Sequence, residues 1–255
     1  MARVALSGAA SGIGAALRAR LEKGGDEVFG IDIRDADAIA DLSTATGRRS
    51  AIDAVDQRFG GALDRLVLCA GLGGHVEDHA RVASLNYFGA VELLDGLLPR
   101  LAGGRDPAAV VIASNSAQLS PEIERWPLVE ALLEGDEGNA REVANASSGQ
   151  VVYIASKNAL GRAVRRRAKA WGEAGVRLNA VAPGTTRTPL LDAGLAEPGA
   201  GQAIRSFPVP LGRWAEPDEI ASVIAFLLGT EARFVHGSVW YVDGGSDAMT
   251  RPDRF

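Results

Sequence analysis

Residues 3 to 23 constrain the fold most. Arg3-Val4-Ala5-Leu6 is a short apolar run, Ser7-Gly8-Ala9-Ala10-Ser11-Gly12-Ile13-Gly14 is a glycine-rich turn, and Ala15 to Lys23 carries a helical pattern. Strand, glycine turn and helix in that order is the setting a dinucleotide-binding turn requires. Gly8 permits the tight turn, while Gly12 and Gly14 lack a Cβ, so backbone can approach a pyrophosphate and the helix can pack close to the strand. The helix amino terminus then offers free N–H groups and partial positive charge to phosphate oxygens. The next strand candidate, Glu27 to Ile31, ends on Asp32, eighteen positions after Gly14. A carboxylate there accepts hydrogen bonds from ribose hydroxyls and repels a 2′-phosphate. Arg34 reads as a solvated arginine, and positions 9 to 11 hold no basic residue. The pattern predicts NAD rather than NADP.

Beyond this unit, apolar strand candidates near 3–7, 27–32, 64–70, 108–114, 176–182 and 238–242, with a short one near 38–42, alternate with helical patterns near 13–24, 47–59, 79–101, 151–174 and 217–229. Such alternation predicts a doubly wound α/β fold, a parallel sheet covered on both faces. Two segments fall outside it. Residues 118–149 hold a helix pattern from Trp126 to Leu133 with Pro127 near its start, a break at Gly135 to Gly138, and a second short helix near 139–146. Residues 185–213 carry Pro189, Pro198, Pro208 and Pro210 and read as a lid or binding loop. Its apolar residues, Leu190, Leu191, Leu195, Ile204, Phe207, Val209 and Leu211, predict a bulky, mostly apolar ligand, about half of them packing on the core instead.

Tyr153 and Lys157 stand at i and i+4 in a helical run, so both side chains share one face. A phenol titrates near pH 10 and is a poor acid or base at neutral pH; a neighbouring ammonium favours the phenolate and fits it for proton transfer to a carbonyl or alcohol oxygen.

With both motifs on the page, the chain resembles the short-chain dehydrogenase/reductases over essentially its whole length. The T-G-x-x-x-G-x-G turn of that family matches Gly8, Gly12 and Gly14, with Ser7 in place of the threonine, and its Y-x-x-x-K matches Tyr153 and Lys157. Its catalytic serine matches Ser114, after Val110-Val111-Ile112-Ala113, and its asparagine matches Asn86 in Leu85-Asn86-Tyr87. Arg177 to Gly184 resembles the sixth strand and its P-G turn, and Val242-Asp243-Gly244-Gly245 the closing strand. Within the family, Gly30 to Ala36, Ala40 to Thr44, Ala170 to Val176 and the tail Arg251-Pro252 to Phe255 resemble the bacterial 3α-hydroxysteroid dehydrogenase/carbonyl reductase branch. Leu68-Cys69-Ala70-Gly71 stands where the wider family has N-N-A-G, and the stretch from Ser114 to Tyr153 is longer than in most members; that branch shares both departures.

The resemblance implies one dinucleotide-binding domain over residues 1–255 and an NAD-dependent interconversion of a secondary alcohol and a ketone. Tyr153 would move the proton, Lys157 would tune it and hold the nicotinamide ribose, Ser114 would orient the substrate oxygen, and Asn86 would hold a water behind Lys157. It extends the expected cofactor contacts to Ser11, Ile13, Asp41, Leu42, Ala70, Gly71, Pro183, Gly184, Thr186 and Thr188. A 3α-hydroxysteroid is the leading substrate, with aromatic or terpenoid alcohols as the alternative and a non-catalytic NAD sensor as the reading from another class.

Composition narrows the partners. A chain of 255 residues that is 47% hydrophobic can bury one sizeable core. A net charge of −5 and a pI near 5.3 argue against nucleic acid. Arg165-Arg166-Arg167 fans around a helix and reads as a solvated or subunit-facing rim. His75, His79 and His236 are too scattered for a metal site, and the single cysteine, Cys69, reads as a small buried residue. The first strand begins at once and no apolar run reaches membrane-spanning length, so a cytoplasmic protein without leader or membrane partner is expected, as a homodimer or homotetramer.

Overall fold

The computed structural model describes residues 1–120 and 122–254. Pro121, inside the expected insert, and Phe255, which ends the resembling tail, lie outside the described residues. Seven parallel strands form one sheet: β1 (Arg3–Ser7), β2 (Glu27–Asp32), β3 (Ala38–Ile39), β4 (Arg65–Leu68), β5 (Ala108–Ile112), β6 (Arg177–Pro183) and β7 (Val239–Val242). Their order across the sheet is β3-β2-β1-β4-β5-β6-β7, so the chain winds outward first one way and then the other from β1 and β4. Alternate side chains of β1 serve opposite faces: Val4 and Leu6 join one apolar cluster and Ala5 the other. On the Val4 side lie α1 (Gly12–Lys23) and α10 (Pro217–Leu228), which bury Leu17, Ile220, Ile224 and Leu227. The Ala5 side is covered by α2 (Ala45–Phe59), α4 (Gly89–Ala102) and α7 (Gly149–Glu173). Each fully buried leucine or isoleucine contributes about 1.5–3 kcal/mol relative to exposure, which is why both faces must be covered.

The helix expected over 79–101 is broken in the structure. It runs as α3 (His79–Ala83), a π-helical turn (Ser84–Phe88) and α4. The wider turn carries Asn86 inward, where its amide is satisfied by Leu72 and Ser156. The lid segment also differs from a plain loop. It holds α8 (Pro189–Ala196) and α9 (Pro198–Ser206), each with proline in the first turn, where no N–H is missed. A short C-terminal helix, α11 (Ser246–Thr250), follows β7 and was not expected.

The insert forms α5 (Pro127–Glu134) and α6 (Glu137–Asn145). Gly135 ends α5 in the left-handed region at φ 80°, and Asp136 caps α6 by accepting from Asn139 N at 3.0 Å. Leu128, Val129 and Leu132 bury against the core. Arg48, only 1% exposed, ties the insert down: its guanidinium donates to Glu92 Oε2 at 2.7 Å on α4, and to Glu137 Oε1 and Oε2 at 3.2 and 2.5 Å on α6. Among the described residues no helix is long and apolar enough to cross a membrane.

Candidate active site

A cavity of about 760 Å³ opens at the carboxyl ends of the strands, where open α/β sheets receive ligands. Of the residues singled out above, Gly8, Ser11, Gly12, Ile13, Gly14, Asp32, Asp41, Leu42, Ala70, Gly71, Ser114, Tyr153, Lys157, Pro183, Gly184, Thr186 and Thr188 all line it. Asn86 does not; it lies behind the wall, accepting from Leu72 N at 2.8 Å and donating to Leu72 O at 2.9 Å and Ser156 Oγ at 3.2 Å. Both ends of its amide are thus committed to bracing the loop after β4, in a place where Leu68-Cys69 supplies no such brace.

At one end, β1 turns into α1 through glycines that geometry demands. Gly8 has φ +71°, and a Cβ on it would stand 2.6 Å from Ala70 N. A Cβ on Gly14 would stand 1.9 Å from the Gly8 carbonyl oxygen, so α1 can reach this depth only without one. Ser11 at the N-cap makes no side-chain cap and the first turn carries no acidic residue, leaving the N–H groups and positive dipole end of α1 open to the cavity. Asp32, at the end of β2, accepts from Ala10 N at 3.0 Å and Ile33 N at 2.7 Å, which fixes its carboxylate beside the glycine turn. Arg34 is exposed and lines the same end. Asp41 accepts from Ser43 Oγ at 2.6 Å and from Arg81 at 3.2 Å; burial raises its pKa, but these partners bring it below the ordinary value overall.

At the other end stand the proton-handling groups. Lys157 is 5% exposed and its Nζ donates to the Ile112 carbonyl at 2.8 Å. Burial pulls its pKa down to about 8, the neighbouring Cys69 acting weakly the other way. The Cys69 thiol is pushed up to about 12 by burial, which makes it inert. Tyr153 departs from expectation. Burial raises its phenol above the ordinary value, and hydrogen bonding to Ser114 opposes the rise. The Lys157 Nζ is held at the Ile112 carbonyl, 5.9 Å from the Tyr153 ring centroid.

Ser114 sits at the end of β5, where it caps the 3-10 turn Asn115–Gln118. Its Oγ accepts from Ser116 N at 3.2 Å and Ser116 Oγ at 2.9 Å, so its own hydrogen is free for a third partner. Ser116, like Arg81, escaped the reading of the sequence; the one signal was a second serine two positions after the first. Thr188 caps α8 by accepting from Leu191 N at 3.2 Å and donates to Thr186 O at 3.3 Å. Of the apolar lid residues, Leu190, Leu191, Ile204 and Phe207 line the cavity, whereas Val209 and Leu211 pack over Gly244. Among the described residues no group of His, Cys, Asp and Glu could hold a metal ion.

Comparison with known proteins adds to this geometry. A family model described as enoyl-(acyl carrier protein) reductase matches residues 139–247. The chain is 53% identical over 259 residues to the 3-alpha-hydroxysteroid dehydrogenase/carbonyl reductase of Comamonas testosteroni, covering 100% of both. It is 33% identical over 267 residues to the cis-4-hydroxycyclohexanecarboxylate dehydrogenase of Sinomonas cyclohexanicum, covering 97% of both. Among solved structures, the 3-alpha-hydroxysteroid dehydrogenase of Pseudomonas sp. B-0831 complexed with NADH matches with a TM-score of 0.97 at 49% identity, covering 99% of each chain.

Proposed function

We propose that this chain, which belongs to the short-chain dehydrogenase/reductase family, is an NAD-dependent oxidoreductase that interconverts a secondary alcohol and a ketone, the alcohol being a 3α-hydroxysteroid. The observation that carries the reading is one cavity that joins Ser114, Tyr153 and Lys157 to a glycine turn at one end and an apolar lid at the other. The turn suits NAD: the close Gly8–Gly14 packing, the uncapped α1 amino terminus and the Asp32 carboxylate offer N–H groups to a pyrophosphate and an acceptor to a ribose. Residues 1–255 act in this reading as one dinucleotide-binding domain.

NAD, when bound, supplies the hydride acceptor for alcohol oxidation or, reduced, the donor for ketone reduction. The chain supplies the proton chemistry. Tyr153 accepts the hydroxyl proton in oxidation and returns it in reduction. Its phenol starts high because it is buried, so the work of stabilising phenolate falls first on the Ser114 hydroxyl. Ser114 can donate because both contacts from Ser116 occupy its lone pairs. Lys157, positively charged below about pH 8, adds a favourable field and holds the cofactor's ribose. Asn86 acts through structure, keeping the loop at Gly71 and Leu72 in register with Lys157. Leu190, Leu191, Ile204 and Phe207 exclude water and take up the apolar body of the substrate.

The protein in this reading is a cytoplasmic homodimer or homotetramer. The open β7 edge, with Phe234 fully exposed and the Phe226 ring tilted against Trp240 at 5.7 Å, supports self-association, which scattering mass in solution tests. Turnover with NAD and a panel of alcohols tests the activity. Androsterone-like 3α-hydroxysteroids are expected to show a far lower KM than cyclohexanol or isopropanol, since burying a fused-ring body contributes several kcal/mol at about 25 cal/mol per Å². Equal efficiency with cyclohexanol overturns the apolar pocket. Turnover of bulky aromatic alcohols alone transfers the site to that class, and no turnover of any alcohol leaves the NAD sensor.

A further inference from the structure

Resting on the activity proposed above, we infer that His75 and Gln150 form a polar wall of the alcohol pocket that binds a second, uncharged oxygen of the substrate. Both side chains line the cavity, and neither has a hydrogen-bonding partner among the described residues. The placement of His75 is specific. A Cβ on Gly73 would stand 2.7 Å from its Nδ1, and one on Gly194 of α8 would stand 4.0 Å from the same atom. The imidazole therefore fills a gap that two glycines leave between the loop after β4 and the lid. A Cβ on Gly74 would stand 2.8 Å from Gly149 O and 3.0 Å from Gln150 N, so the same loop rests on the first turn of α7 and brings Gln150 alongside.

The two side chains flank the pocket from the lid side and from α7. Gly194 is six residues along α8 from the cap Thr188, about 9 Å at 1.5 Å per residue, and Gln150 precedes Tyr153 by nearly a turn of α7. Gln150, three residues before Tyr153, shares its face of the helix, so the reach away from the reacting carbon lies on the His75 side. The ligand's charge follows from the wall. Of the charged residues that line the cavity, Asp32, Arg34, Asp41 and Arg81 belong to the β2 and β3 end, and Lys157 is held at the Ile112 carbonyl, so none is placed against His75. A carboxylate or ammonium would find no counter-charge there. An imidazole and a primary amide each donate and accept, so a ketone or a hydroxyl is matched equally.

The test uses the whole enzyme with NAD and two 3α-hydroxysteroids that differ only in a ketone at carbon 17. An uncharged hydrogen bond is worth roughly three- to tenfold in kcat/KM. Wild type is expected to prefer the 17-ketone by at least that factor, and the ratio of the two kcat/KM values is expected to approach one in His75→Leu and in Gln150→Leu. Because each ratio is internal to one protein, a general loss of activity does not imitate the effect. Gln150 is exposed, so its variant supplies the answer should the His75 variant fail to fold. Equal use of both steroids by wild type, or an unchanged ratio in the variants, overturns the inference while leaving steroid oxidation standing. Absence of turnover with either steroid overturns the substrate reading beneath it as well.

Discussion

Replacing Asp32 by asparagine isolates what its charge does for cofactor choice. The carboxylate is fixed by the Ala10 and Ile33 amides at 3.0 and 2.7 Å, so it cannot swing away from a 2′-phosphate without giving up two hydrogen bonds. Two unit charges about 4 Å apart repel by about 1 kcal/mol in bulk water and about 4 kcal/mol at an effective dielectric of 20. Asp32 is half-buried, which places it between those limits. The corresponding discrimination runs from about fivefold to several-hundredfold, and wild type should favour NAD over NADP by at least about tenfold in kcat/KM. Asparagine keeps one acceptor but turns an N–H toward an amide that needs the other. Both cofactors share that loss at the turn, so the NAD/NADP ratio reports the charge alone. The ratio should fall about tenfold or more in Asp32→Asn, helped by exposed Arg34 two residues on, and should also fall with added salt in wild type. The assay is initial-rate kinetics with each cofactor at one saturating alcohol. Equal wild-type efficiencies, or a variant with an unchanged ratio, would show that Asp32 does not set the preference.

Tyr153→Phe should lower kcat by about 10²- to 10⁴-fold with NAD affinity unchanged in a fluorescence titration, whereas Lys157→Ala should lose both; a third of wild-type activity in the phenylalanine variant refutes the proton role. Gly14→Ala should abolish NAD binding in the same titration, because the new Cβ would lie 1.9 Å from the Gly8 carbonyl and α1 must retreat; unaltered affinity would show that the turn yields freely. Asp64 is 3% exposed; burial raises its pKa, but Arg3 and the backbone N–H groups of Arg105 and Arg3 pull it down to about 2. A lowered carboxylate pKa stabilises the fold above the unfolded value near 4, and the contribution disappears as pH falls through about 2. Denaturant unfolding of Asp64→Asn at pH 7 should therefore show a loss of about 2 kcal/mol that closes between pH 4 and pH 2, and a gap that stays constant with pH refutes the assignment.

What the sequence made legible was local. The turn from Ser7 to Gly14 and the Tyr153–Lys157 spacing each lie within one or two elements, so spacing alone carries their geometry. Strand positions followed because buried parallel strands leave near-continuous apolar runs such as Val110-Val111-Ile112. The π-helical turn at Ser84–Phe88 was not legible, since nothing near it in sequence announces that the Asn86 amide is needed by Leu72. Proline misled at 189 and 198, where loop and first-turn readings are equally open until a helix is seen to follow. The Tyr153 phenol, expected to be lowered, is instead raised by burial, a depth that spacing along one helix does not report. The i, i+4 rule places Lys157 on the right face, but a carbonyl on β5, forty-five residues away in the chain, decides where its ammonium rests.

The buried guanidinium of Arg48 makes the insert hard to lose. An arginine in that position is tolerable only while Glu92 and Glu137 answer it, and Glu137 belongs to α6. Trimming residues 118–149 to a short connection would take away Glu137 together with the helix that carries it, leaving Glu92 as the remaining carboxylate on Arg48. The insert and Arg48 thus act as one unit, and a grafting experiment that moves the helical pair without its arginine transfers the shape but not the anchor.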